Sequence, residues 1–166
     1  MMVLRQLLAI AVLPFTVTVL IPIWIARDGR VTFTTPGSGV EWLLVSFGVV
    51  VLAAGLWLFV TTVALFWRRG RGTLAPWDPP RVFVADGPYR YVRNPMISGV
   101  IGMLSAEGLI LRSRPIAEWA ALFFAINLVY IPLFEEPMLA ARFGESYREY
   151  KRHVRMFVPR LTPRQQ

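Results

Sequence analysis

The sequence contains no cysteine and a single histidine, His153. The first absence excludes disulfides, thiolate metal sites and cysteine nucleophiles. The second argues against a histidine-built metal site or a His-containing catalytic triad, so no metal is expected. Acidic residues are scarce too: ten Asp and Glu stand against eighteen Lys and Arg, a formal charge of +8. Only 17% of the residues are charged, where a soluble domain carries about a quarter. The charges cluster, leaving long apolar stretches between them. A chain that is 55% hydrophobic and patterned this way reads as a membrane protein rather than a soluble core. The basic excess flanks apolar runs instead of forming a stripe on a soluble fold. It therefore points to membrane lipids, not nucleic acid.

Four apolar runs define the expected fold, a single all-α membrane domain (residues 1–166) built as a polytopic bundle of about four transmembrane helices. The first covers residues 3–26 and contains Pro14 and Pro22, which a membrane helix tolerates when neighbours satisfy the freed carbonyls. It is long for a signal peptide, and no small-x-small cleavage site follows. The second, 40–67, is the cleanest; Trp42 and Trp67 sit where aromatic belts lie, and Gly48 and Gly55 suggest a close helix contact. The third, 96–111, is short, reaching only ~24 Å as a helix. The fourth covers 116–134 and pairs with the third as a helical hairpin. Asn127 within it reads as interhelical glue.

Residues 68–94 hold six arginines and two aspartates, and the tail from residue 135 holds seven Lys or Arg and four glutamates. Residues 27–39 hold two arginines and one aspartate. The positive-inside rule puts the arginine-rich loop, the tail and both termini in the cytoplasm, with the chain in a bacterial inner membrane. Arg112 and Arg114 then lie outside. Residues 73–80, with Pro76, Pro79 and Pro80, form a loop. In the tail, Leu139, Phe143, Tyr147, Tyr150 and Val154 recur at helical spacing and predict one amphipathic cytoplasmic helix. Glu135 and Glu136 suit its N-terminus, and Pro137 its first turn.

Two polar segments carry chemistry, 86–99 and 135–159. In the first, Gly87-Pro88 sets a turn, Tyr89 and Tyr91 offer aromatic faces and hydroxyls, and Arg90 and Arg93 offer rigid forks for a carboxylate or phosphate. Asn94-Pro95 then opens a glycine-containing helix. Glu107 is an ionisable residue inside the third run, which marks it as a candidate functional group.

The order Gly87-Pro88-Tyr89, Arg93-Asn94-Pro95, an apolar hairpin, Glu135-Glu136, Leu139, Phe143-Gly144, Tyr147 and Tyr150 resembles the isoprenylcysteine carboxyl methyltransferase and phospholipid methyltransferase families. The resemblance covers roughly the C-terminal half, residues 86–159. It implies an integral membrane methyltransferase that uses S-adenosyl-L-methionine and acts on a lipophilic acceptor, either the carboxylate of a prenylated cysteine-like compound or a lipid. It also implies that Tyr89, Arg93, Asn94, Pro95, Gly99 and Gly102 line the cofactor cleft. Glu135 and Glu136 match the family's acidic pair, and Phe143, Tyr147 and Tyr150 its tail aromatics. Arg93, Asn94 and Glu107 are the residues expected at the chemistry, with Glu107 a base where the acceptor must lose a proton.

The sequence departs from the family at Asn94, where His is common, and at Ile97, where an aromatic is common. Asn keeps hydrogen bonding but not a titratable ring. Two alternatives stand beside the methyltransferase reading. Sterol and steroid reductases that bind NADPH share a similar Arg-x-Pro-Asn-Tyr segment and tail, but here Asn94 precedes Pro95 and no Asn-Tyr follows. A catalytically inactive membrane scaffold is the other.

Overall fold

The computed structural model describes residues 11–27, 31, 34–66, 68 and 82–162. The start of the first run, the belt residue Trp67 and the proline-rich loop 73–80 lie outside the described residues. All regular structure among the described residues is helical. Helix α1 begins as a wide π-type helix, Ala11–Leu20, and closes as Ile21–Ile25. Helix α2 is Gly39–Leu65, α3 is Pro95–Ile110 and α4 is Arg114–Tyr130. A π turn, Ile131–Glu135, carries α4 into α5 (Glu136–Phe143), and α6 (Glu145–His153) follows. Two helical stretches are long and apolar enough to cross a membrane, Gly39–Leu65 and Arg114–Phe143; Pro14–Ile25 and Pro95–Ile110 are shorter apolar helices.

The N-terminus of α2 is set by Ser38, whose hydroxyl accepts from Glu41 N, while the Glu41 carboxylate accepts from Gly37 N at 2.7 Å. Together they satisfy two backbone donors at the helix start. Outward on α2 stand Trp42, Leu43, Phe47, Val50, Trp57 and Val60, all exposed, as a lipid-facing surface requires. Its inward line is glycine. Gly48 faces Leu109 and Ile110 of α3, and a Cβ there would lie 2.8 Å from Ile110 Cγ1. Gly55 meets Gly99 so closely that a Cβ on Gly55 would lie 2.9 Å from the Gly99 carbonyl oxygen. Lipid tails are as apolar as leucine, so helices in a bilayer gain by close backbone packing rather than by hydrophobic exclusion. Gly108 repeats the device against Ala117 of α4.

Helix α3 is thus the central element. Val100, Met103 and Leu104 of α3 pack with Phe59 of α2 and Ala120 of α4, and Val17, Trp119 and Phe123 close over them. Trp119 also mends a defect in α1. Pro22 lacks the N–H that a π register would aim at the Val17 carbonyl, and Trp119 Nε1 donates to that carbonyl at 3.1 Å. Asn127, expected as interhelical glue, instead bonds within its own helix among the described residues, its amide donating to Phe123 O at 2.8 Å where it is buried.

The turn from α3 to α4 ends α3 with two back-bonds, Arg112 N to Leu109 O and Ser113 N to Gly108 O. This closure needs a left-handed residue, ordinarily glycine, and here it is Arg112 at φ 49°. Its guanidinium holds the cost in check, pairing with the Glu41 carboxylate at 2.7 Å and with Thr34. Arg114 pairs with Glu118.

The tail is two helices rather than one. Gly144 at φ 61° and ψ −134° breaks it between Phe143 and Glu145. The apolar stripe survives the break: Tyr147, Tyr150 and Val154 are buried together with Leu139 and Phe143, against Phe83, Ala85 and Tyr89.

Candidate functional site

Three segments meet at the N-terminal end of α3. The first is the turn Gly87–Arg90, which begins at φ 55° on Gly87 and continues through Pro88. The second is the α5–α6 pair. The third is the extended chain that follows α6. Tyr150 Oη donates to Tyr89 O at 2.7 Å and pins the turn to α6. The Phe83 ring lies 5.4 Å from Phe143, 5.9 Å from Tyr147 and 5.2 Å from Tyr150. Phe66, just past α2, meets Tyr89 edge-on at 5.7 Å. After α6 the chain runs back along the Arg93 segment. Arg93 N donates to Arg155 O, Asn94 N to Met156 O, and Arg160 N to Tyr91 O. Phe157 packs on Phe124 of α4 at 5.3 Å. The backbone around Arg93 is therefore held from several sides.

An ion cluster lies inside this frame. Arg93 Nη2 stands 3.1 Å from Glu136 Oε1, with the two side chains 12% and 4% exposed. Lys151 Nζ stands 2.5 Å from Glu136 Oε2 and is half-exposed. Glu136 is thus shared by two cations, and its carboxylate is committed within the protein. Arg93 Nε and Nη1, both buried, have no hydrogen-bond partner among the described residues, and the Arg93–Glu136 contact itself lacks hydrogen-bond alignment. Buried donors left unmade are costly, about 1–3 kcal/mol each and more for charged groups. Such groups in a native fold ask for an acceptor.

The phenols of Tyr89 and Tyr147 are both pushed above their ordinary range. For Tyr89 burial is the main cause, with Tyr150 and Glu135 adding. For Tyr147 burial again leads, Glu136 raises it further, Arg93 opposes, and Glu135 adds a smaller push. Both phenols therefore stay protonated at neutral pH, as hydrogen-bond donors and not bases. The same influences put Tyr147 within electrostatic reach of Glu135, Glu136 and Arg93, and Tyr89 within reach of Glu135. Glu135 forms no ion pair among the described residues.

The site residues expected from sequence divide into groups. Arg93, Glu136, Glu135 and Tyr147 gather in one place, and Tyr89 joins them through Tyr150 and Glu135. Pro95 is buried at the first position of α3, where its missing N–H costs nothing. Asn94 precedes it, and its carbonyl accepts from Ser98 N and Ser98 Oγ, fixing the start of the helix. Phe143 and Tyr150 serve tail packing, Tyr150 with its hydroxyl already used. Gly99 and Gly102 belong to the helix crossing: a Cβ on Gly99 would lie 2.8 Å from Gly55 O, and one on Gly102 would lie 3.5 Å from Gly55 Cα. The space at Gly99 is filled by the α2 backbone, whereas Gly102 is half-buried and makes only ordinary contact there. Glu107 lies in the last turn of α3, roughly 20 Å from Arg93 at ~1.5 Å per residue. It is not part of the cluster. Lys151 is a member that sequence reasoning missed. The available signal was its spacing of four from Tyr147, which puts it on the edge of the buried stripe.

The profile of the phospholipid methyltransferase family matches residues 43–146, which holds α3, the hairpin, Arg93 and Glu136. One relative is phosphatidylethanolamine N-methyltransferase 1 of Vanderwaltozyma polyspora, 30% identical over 109 residues. That stretch is 63% of this chain and 13% of the relative. Another is methanethiol S-methyltransferase 2 of Bradyrhizobium diazoefficiens, 38% identical over 80 residues, 46% of this chain and 28% of the relative. The matched stretches thus span less than a third of either relative's length. No solved structure matches the chain. This apolar chain, helical in all the regular structure of its described residues and matched from α2 through the Arg93–Glu136 pair into α6, belongs to the phospholipid methyltransferase family.

Proposed function

We propose that the chain is an integral membrane methyltransferase that uses S-adenosyl-L-methionine and methylates a lipophilic acceptor. The single observation that carries the cofactor assignment is Arg93, whose Nε and Nη1 are buried donors without a partner among the described residues. The open Nε and Nη1 lie on the two edges of the guanidinium, and each edge, Nε with Nη2 or Nη1 with Nη2, can donate to an outside carboxylate. The amino-acid end of the cofactor supplies one, and its ammonium suits the Glu135 carboxylate nearby. When bound, the cofactor supplies an electrophilic methyl group on a sulfonium.

The residues of this chain do the rest by holding and enclosing. Arg93 orients the carboxylate end. The faces of Tyr89 and Tyr147 suit a sulfonium cation. The aromatic packing around Phe83 and the chain segment that pairs with Arg93 and Asn94 hold the site's groups in place, which favours an in-line displacement through alignment. The acceptor class follows from chemistry and from the names of the relatives, one acting on a phospholipid amine and the other on a small thiol. A lipid or small lipophilic nucleophile enters sideways between helices, while the cofactor enters from the cytoplasmic side, where the arginine-rich segment and the tail lie. Four crossings, with α3 the short third, put both termini on that side. Glu107, distant from Arg93, is left out of the cofactor site.

Titration of the purified protein with S-adenosylhomocysteine and with NADPH tests this reading. Stabilisation by the nucleoside and not by NADPH is expected. The reverse result supports a reductase-like enzyme, and binding of neither supports an inactive scaffold.

A further inference from the structure

We propose that Lys151 is a positioning residue that limits Glu136 to one arm of Arg93 and so leaves an edge of the guanidinium for the cofactor's carboxylate; this rests on the methyltransferase reading above. An arginine and a carboxylate left to themselves settle fork to fork, with two parallel N–H···O bonds. Arg93 and Glu136 do not. Only Nη2 faces Glu136, at Oε1, because Oε2 is taken by Lys151 Nζ at 2.5 Å. The result is a buried guanidinium held by one arm, with Nε and Nη1 left over.

The tail sets this geometry from two points. Tyr147 and Tyr150, buried in the aromatic cluster, fix the register of α6 and so the place of Lys151. Arg155 O accepts from Arg93 N at 2.9 Å and fixes the backbone from which the fork projects. Lys151 itself is half-exposed, so the fold does not depend on its burial. Its contribution is to occupy one carboxylate oxygen. Without it, the Glu136 carboxylate turns to accept both bonds from Arg93, and an edge of the guanidinium is lost to the outside carboxylate.

The test compares S-adenosylmethionine with decarboxylated S-adenosylmethionine, which keeps the sulfonium, adenosine and ammonium but lacks the carboxylate. Affinities are measured for the purified wild type, Lys151→Gln and Lys151→Arg, with thermal unfolding recorded for each. Lys151→Gln is expected to weaken S-adenosylmethionine binding by about tenfold, to leave the decarboxylated ligand unaffected and to lower the thermal unfolding temperature only slightly. Lys151→Arg is expected to restore the affinity. Equal losses for both ligands, or no loss for either, overturn the role of Lys151 while the methyltransferase reading stands. A wild type that binds neither ligand overturns both.

Discussion

Removing the Glu136 carboxylate should damage the protein more than removing either of its partners. Glu136→Ala strips the Arg93 side chain, 12% exposed in the intact protein, of its nearest counter-charge, with two donors already unmade. Breaking a buried pair from one side costs about 3–5 kcal/mol, because the surviving charge stays in a poor dielectric. Arg93→Ala is milder, since Glu136 keeps Lys151 at 2.5 Å; a loss of about 1–3 kcal/mol is expected. Lys151→Ala removes a half-exposed partner and should cost about 1 kcal/mol or less. Denaturant unfolding in detergent micelles, followed by tryptophan fluorescence, gives the three values. The paired variant Arg93→Met with Glu136→Met should recover much of the loss seen in Glu136→Ala, since an apolar pair replaces an ionic one. Three equal losses, or additive losses in the paired variant, would refute the reasoning that Glu136 is the shared anion of the cluster.

Gly99→Ala aims a methyl group at the Gly55 carbonyl and Phe59 N, backbone atoms that cannot swing aside, so a loss of about 1–3 kcal/mol is expected. Gly102→Ala makes only ordinary contact with Gly55 Cα and should be neutral or stabilising, through about 1 kcal/mol of helix propensity; the same unfolding assay checks both. Trp119→Phe leaves the Val17 carbonyl without its interhelical donor, and about 1–2 kcal/mol should be lost. Tyr89 and Tyr147 have folded-state pKa values above the ordinary 10.0. Their stabilising contribution is therefore full below that pH and lost as pH rises above it. Ultraviolet titration of tyrosinate in Tyr147→Phe should show one late-titrating phenol fewer than the wild type.

Much of the bundle was legible because a bilayer demands uninterrupted apolar runs. The runs 40–67 and 96–111 correspond to Gly39–Leu65 and Pro95–Ile110 within two residues. Gly48 and Gly55 announced the α2–α3 crossing for the same physical reason: nothing larger lets the backbones meet. The break at Gly144 was hidden, because Phe143 and Tyr147 keep helical spacing across it and still reach one cluster. The part Gly99 plays in the α2–α3 crossing was hidden, because a motif names the residue and not the direction in which it opens. Lys151 was hidden among solvated charges, since sequence shows a lysine's spacing but not which carboxylate is buried beside it. The convergence of Arg93 and Glu136 was legible only through the family resemblance, for 43 positions separate them and only the folded hairpin brings them together.

Methyl transfer itself is the most direct test of the central claim. Membranes containing the wild-type chain, and membranes containing Arg93→Ala, are incubated with methyl-labelled S-adenosylmethionine and extracted into organic solvent. Label in a lipophilic product from the wild type, and its loss in Arg93→Ala, is the expected result. No labelled product from the wild type, or equal labelling by the variant, would contradict the account.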